Sequence, residues 1–254
     1  MQDKYWYLKN CDLFDRLPSD QIESIEASSK IRTYESNSLV YLPNDRSDSV
    51  FLCASGRVKI YHLTSEGKQA LLAIIEPGDV FGELAVFEGG TREDFAESME
   101  KTSVIMIPGR TIQQLMESQP SVSLSISRLM GLRRQRVERR LKSLLFRSNR
   151  ERLMHVLIEL AEQFGTLTER GVELSIKLSH QDYANLIGST RETVTVTLGK
   201  LQRDGYIRMN RRQIVITKIT EIAEIVDLNV PERLLTPVRN RKSFPRNAPE
   251  YEKY

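Results

Sequence analysis

The densest run of side chains able to engage a polyanion lies between Leu178 and Leu201. Ser179 with Asp182, and Ser189 with Glu192, both have helix-start spacing: the hydroxyl accepts from the backbone N–H three residues on, and the carboxylate reaches back. Gly188 falls between them, where a tight turn needs a residue free to take positive φ, and Ala184 is small where two helices would cross closely. The pattern predicts a helix-turn-helix. Ser189, Thr190, Arg191 and Glu192 then form the turn that such a motif presents to base edges in the major groove. Arginine can bond guanine N7 and O6 together, and glutamate accepts from cytosine N4. Thr195, Val196 and Lys200 follow on the same helix. Val196 cannot donate but can pack on a thymine methyl; the alternative, Val196 in the core with Thr197 outward, stays open. Ser179 and His180, starting the first helix, are placed for a phosphate.

After Gly205, residues 206–209 and 213–217 read as two strands around Asn210-Arg211-Arg212. Arg211 and Arg212 on that hairpin tip suit phosphate contacts, which position a protein without reading sequence.

These groups need a scaffold, and its outline is legible. Alternation and turn residues predict short strands at 30–34, 38–42, 49–53, 57–63, 69–75 and 102–107, an arrangement typical of a sandwich or barrel. At Pro120 the period becomes helical and runs to Phe146, a helix of about 26 residues and about 39 Å. Ile126, Met130, Val137, Leu141 and Leu144 form its expected dimer seam, interrupted by Arg133, while Leu124, Leu129 and Leu132 give a second apolar face. One face can meet the barrel and the other a twin helix; a helix buried within one chain is the alternative. Ser148-Asn149-Arg150-Glu151 is a capping box, so a new helix starts there, with an apolar stripe from Leu153 to Phe164 and a stop at Gly165. The break after Phe146 is the expected hinge. The expected organisation is α+β: a barrel over 1–119, a dimerisation helix over 120–146, a winged helix-turn-helix over 147–228, and a disordered, proline-bearing tail over 229–254.

Charge divides along the same line. Residues 1–110 hold 12 basic against 18 acidic side chains, a net of −6, whereas residues 111–254 hold 25 against 16, a net of +9. A polyanion partner is therefore expected for the second part only. The two cysteines, Cys11 and Cys53, encode no cluster or zinc site, and a reduced, cytoplasmic setting fits. No apolar run approaches the roughly 20 residues that span a bilayer. His62, His155 and His180 fall in three separate elements, so no metal is expected. No nucleophile and base are paired, so no enzyme or catalytic residue is expected.

The residues resemble the CRP/FNR family of bacterial transcription regulators over roughly 11–226. The resemblance is carried by Leu13-Phe14-Asp15-Arg16-Leu17, by the text from Val50 to Ile60, by the cassette Pro77-Gly78-Asp79-Val80-Phe81-Gly82-Glu83-Leu84-Ala85, and by Arg191-Glu192-Thr193-Val194. The recognition-helix text is also similar to that of nitrogen-control (NtcA-like) members. The resemblance implies a jelly-roll domain like those that bind cyclic nucleotides, a homodimer paired through the long helix, double-stranded DNA as partner, and RNA polymerase as a second partner through the expected loop at 166–173. It also implies an effector pocket: Gly82 opens the turn, Glu83 and Leu84 follow, Glu83 would hold a ribose hydroxyl, Arg92 would neutralise a phosphate, and Val137 and Glu138 would meet the base. Glu93 and Asp94 depart from the pattern. If either carboxylate pointed inward, like-charge repulsion of about 4 kcal/mol at an effective dielectric of 20 would oppose an anionic ligand. The expectation is a DNA-binding regulator whose effector is absent or different; cyclic-AMP control is the alternative, followed by 2-oxoglutarate and by a ligand-binding module acting on a partner protein.

Overall fold

The computed structural model describes residues 4–86 and 90–235. The chain forms two compact units that divide inside one helix, between Arg133 and Arg134.

In the first unit, α1 (Lys4–Lys9) and α2 (Ser19–Ser28) precede eight strands. These are β1 (Lys30–Tyr34), β2 (Leu39–Tyr41), β3 (Ser49–Ser55), β4 (Val58–Leu63), β5 (Gln69–Ile75), β6 (Val80–Phe81), β7 (Phe95–Ser98) and β8 (Thr102–Pro108). A 3₁₀ turn, Glu83–Val86, separates β6 from β7. The strands pair antiparallel in two four-stranded sheets, β1-β8-β3-β6 and β2-β7-β4-β5. All six expected strands form within two residues of their predicted ends. The short β6 and β7 were not anticipated, because two to four residues carry too little alternation to register.

β3 explains why the unit has two cores. Its central residues are all buried, as a strand covered on both faces requires. Val50, Leu52 and Ala54 join Ile22, Ile25, Ile105 and Ile107 beneath the helices. Phe51 and Cys53 join Tyr41, Val58, Phe81 and Ala96 between the sheets. After α3 (Gly109–Ser118), the helix α4 (Pro120–Phe146) starts at the expected proline. Its first part packs on the helical core through Val122, Ile126, Leu129 and Met130. Ile126 is 2 % exposed. Ile126 and Met130 therefore leave the predicted dimer seam and belong to the barrel, whereas Leu124, Leu132, Val137, Leu141 and Leu144 are exposed. Helical spacing lists apolar residues but does not say which face meets which neighbour.

In the second unit, α5 (Asn149–Phe164) begins at the capping box, with both reciprocal bonds of Ser148 and Glu151 present. The break at Phe146 exists, but it does not separate the units. Arg139 pairs with Glu162 (3.4 Å), Arg140 pairs with Glu159 (3.2 Å), and Arg152 donates to the carbonyls of Arg147 (2.9 Å) and Leu144 (2.7 Å). These contacts bind the end of α4 to α5. Strands β9 (Gly165–Thr168) and β10 (Gly171–Leu174) follow, so residues 166–173 are a hairpin rather than the predicted loop. Val172 and Leu174 are its buried side chains. Helices α6 (His180–Ile187) and α7 (Arg191–Arg203), strands β11 (Ile207–Asn210) and β12 (Gln213–Ile216), and α8 (Ile219–Ile225) complete the unit, with the antiparallel order β11-β12-β10-β9. A 3₁₀ turn at Glu232–Leu234 buries Leu234, and Arg233 donates to the carbonyl of Gly165 (3.2 Å). Order thus continues past 228, where the tail was expected to begin; residues 236–254 lie outside the described residues.

Candidate nucleic-acid interface and sensor pocket

Ser179 caps α6 as expected: its hydroxyl accepts from the Asp182 N–H (3.2 Å), and its own N–H donates to the Asp182 carboxylate (2.7 Å). At the other end Gly188 takes φ +62, the left-handed conformation that the turn needs. The N–H groups of Gly188 and Ser189 both donate to the carbonyl of Ala184. Ser189 is thereby committed to closing α6. It does not cap α7, as the sequence predicted. Thr190 does, accepting from the Thr193 N–H at 3.2 Å. Glu192 is consequently not the third residue of a capping box, and it stands exposed beside Arg191.

Val194, Thr197, Leu198 and Leu201 bury one face of α7. Arg191, Glu192, Thr195, Val196 and Lys200 are exposed on the other. Val196 is 57 % exposed and Thr197 8 %, which decides between the two readings in favour of an outward valine. At the head of α6, His180 Nδ1 meets Thr195 Oγ1 at 2.7 Å, which brings those two predicted residues together. The hairpin pairs Asn210 with Gln213, leaving Arg211 and Arg212 as a two-residue exposed turn. Arg211 takes φ +55. A left-handed non-glycine residue costs about 1 kcal/mol, so the turn holds Arg211 against its local preference. The Gln213 amide donates to Glu173 and ties the hairpin to β10.

The cassette in the first unit is filled by the chain's own groups. Glu83 and Arg92 are each 7 % exposed. Gly82 has φ +68, and a Cβ there would lie 2.6 Å from Arg92 Nη1, so glycine is required for the guanidinium to pass. Arg92 donates to the carbonyls of Gly82 (3.1 Å) and Ser49 (2.5 Å). It lies over the rings of Tyr41 (4.6 Å) and Phe51 (5.0 Å). Burial lowers its pKa, with nearby tyrosine and carboxylate groups opposing. Arg133, the apparent flaw in the seam, donates to the carboxylate of Glu83 and to the carbonyl of Val80. Leu84 is exposed. Of the two carboxylates expected to repel an anion, Glu93 is exposed, and Asp94 lies 3.1 Å from His62 Nδ1 while its charge still acts on Tyr41, the ring beneath Arg92. Val137 is exposed, and Glu138 accepts from Arg134 (2.8 Å) on the surface of α4. Among the described residues no group of three or more His, Cys, Asp or Glu side chains could hold a metal, and no helix is long and apolar enough to cross a membrane.

Comparison with known proteins finds the cyclic nucleotide-binding domain over residues 31–119 and the Crp-like helix-turn-helix domain over residues 151–225. The chain is 29 % identical over 190 residues to a global nitrogen regulator of Nostoc sp., covering 74 % of this chain and 85 % of that one. It is 27 % identical over 184 residues to a CRP-like cAMP-activated global transcriptional regulator of Mycobacterium tuberculosis, covering 72 % and 82 %. A solved mutant of CooA from Carboxydothermus hydrogenoformans superposes with a TM-score of 0.70 at 27 % identity, covering 80 % of this chain and 90 % of that chain. The chain belongs to the CRP/FNR family.

CRP/FNR members are transcription regulators, and this one has the family's jelly roll, long helix and helix-turn-helix in order. Sequence reasoning missed two features of it. Arg133 was visible as a charge in an apolar seam, a signal that a partner must lie nearby. The rings of Tyr41 and Phe51 around Arg92 left no such trace, because they come from strands remote in sequence.

Proposed function

We propose that this CRP/FNR regulator binds a near-palindromic duplex as a homodimer through Arg191 and Glu192, with Ser179, His180, Arg211 and Arg212 on phosphates. The observation that carries the reading is the two-sided α7, whose first turn stands in solvent while Val194, Leu198 and Leu201 are buried. Ser189, Thr190, Thr195, Val196 and Lys200 complete the surface facing DNA. Val137, Leu141 and Leu144, all more than 40 % exposed, supply the twin-helix contact, which would set two recognition helices about 34 Å apart. The tip of the β9–β10 hairpin, Glu169 and Arg170, is the surface offered to RNA polymerase.

The effector reading follows from the cassette. Arg92 is engaged by two carbonyls, and Glu83 by Arg133. A cyclic nucleotide would have to replace those contacts, so we read this conformation as one that needs no such ligand. Calorimetry with cyclic AMP and with 2-oxoglutarate tests this: heat with either at micromolar concentration would overturn it.

Selection of bound duplexes from a random pool tests the DNA reading. Arg191→Ala should cost about 1–3 kcal/mol and relax preference at one base pair, whereas Arg211→Ala should weaken all duplexes alike and reduce the salt slope. An unchanged base preference in Arg191→Ala would sink the assignment.

A further inference from the structure

Three groups join the head of α6 to the first turns of α7. Thr195 Oγ1 donates to the carbonyl of Arg191 at 2.8 Å, and His180 Nδ1 lies 2.7 Å from the same hydroxyl oxygen. A hydroxyl carries one hydrogen, and a carbonyl can only accept. The hydrogen of Thr195 is thus committed to Arg191, and the short contact with the imidazole is attractive only if Nδ1 bears the hydrogen. A neutral imidazole has a single N–H. With that hydrogen on Nδ1, Nε2 at the other side of the ring keeps a bare lone pair and has no hydrogen-bond partner among the described residues.

His180 directly follows the N-cap Ser179, so it stands where the sequence places a phosphate contact. The charged residues nearest it in the chain are Lys177 and Asp182, with Asp182 held by Ser179, and the first turn of α7, whose helix supplies Thr195 to the ring, carries Arg191 and Glu192. A lone pair repels a phosphate oxygen, whereas an imidazolium N–H makes a charge-assisted hydrogen bond to it.

We propose that Thr195 is a positioning residue for His180: it holds the hydrogen on Nδ1, so Nε2 engages a DNA phosphate only after taking a proton from solvent. Each protomer then takes up at most one proton on binding DNA. The inference rests on the DNA-binding reading above. Because the bound state favours the charged ring, affinity falls as pH rises.

The test uses the full chain and a duplex recovered from the random pool, with anisotropy titrations from about pH 5.5 to 8.5 at fixed ionic strength, beside ¹⁵N spectra of the free protein near pH 8. Affinity should fall with pH, approaching about tenfold per unit per protomer at its steepest. His180→Gln, which donates without titrating, should flatten the profile. Thr195→Val should flatten it as well, by releasing the Nε2–H tautomer, so that its affinity at the alkaline end approaches its acid value. The free protein should show hydrogen on Nδ1, and Thr195→Val should lose that preference. Hydrogen on Nε2 in the unaltered protein, or a profile that His180→Gln leaves unchanged, overturns the proposal while DNA binding stands. No duplex binding at any pH overturns the DNA-binding reading and this proposal together.

Discussion

Arg133, on the long helix, donates to the buried carboxylate of Glu83 in the cassette and ties that helix to the jelly roll. The same arginine also holds the carbonyl of Val80, one strand before the carboxylate. A position that interrupts an apolar repeat is thereby accounted for by the charge it meets.

Removing the guanidinium leaves Glu83 buried without its cation, which costs more than the pair contributes when intact. Arg133→Ala should destabilise the first unit by about 2 kcal/mol, and Glu83→Gln, which keeps an acceptor without the charge, by less. Urea midpoints of the two variants and of the double variant measure this; equal midpoints for Arg133→Ala and the unaltered protein would contradict it.

Two adjacent hydroxyls separate the observed cap from the predicted one. Thr190→Ala removes the N-cap of α7 and should cost about 1 kcal/mol, whereas Ser189→Ala, whose backbone alone closes α6, should fall within about 0.5 kcal/mol of no change. Thermal unfolding ranks the pair.

His155 is buried on α5, and burial holds its imidazole below the ordinary value of 6.5; Glu159 opposes, while Arg147, Arg139 and Arg140 add to the shift. The unfolded chain therefore takes up a proton first as pH falls. This contribution to stability is full above pH 6.5 and declines below it, down to the lowered folded value. His155→Gln should lose that share of the acid sensitivity, read as the change in urea midpoint between about pH 7.5 and 5. A variant that loses stability in parallel with the unaltered protein would refute this.

The corrected seam makes opposite predictions for two apolar residues of one helix. Leu141→Asp, at an exposed position, should give a folded monomer, whereas Ile126→Asp buries a carboxylate in the barrel core and should unfold that unit. Light scattering beside circular dichroism separates them.

Much of this architecture can be read without coordinates. The start of α4 at Pro120, the capping boxes at Ser148 and Ser179, and the positive φ of Gly188 are each set by residues within a few positions of one another. The strands of the jelly roll and the basic hairpin tip follow from patterns of the same reach. Such features depend on backbone sterics and on hydrogen bonds that close locally, so neighbouring residue types suffice to specify them.

The rest was decided by contacts between distant parts of the chain. Ser189 is the better cap in isolation, yet its N–H is drawn to the carbonyl of Ala184 and Thr190 serves instead. Ile126 and Val137 look alike in a helical repeat until the barrel covers the first and leaves the second in solvent. Arg92 and Glu83 are a plausible ligand site in one dimension, yet in three they already have partners, from Ser49 and Gly82 for one and from Arg133 for the other. A sequence determines which groups can bond; only folding determines which partners come within reach, because a hydrogen bond or ion pair acts over a few ångströms of space, however far apart its members lie along the chain.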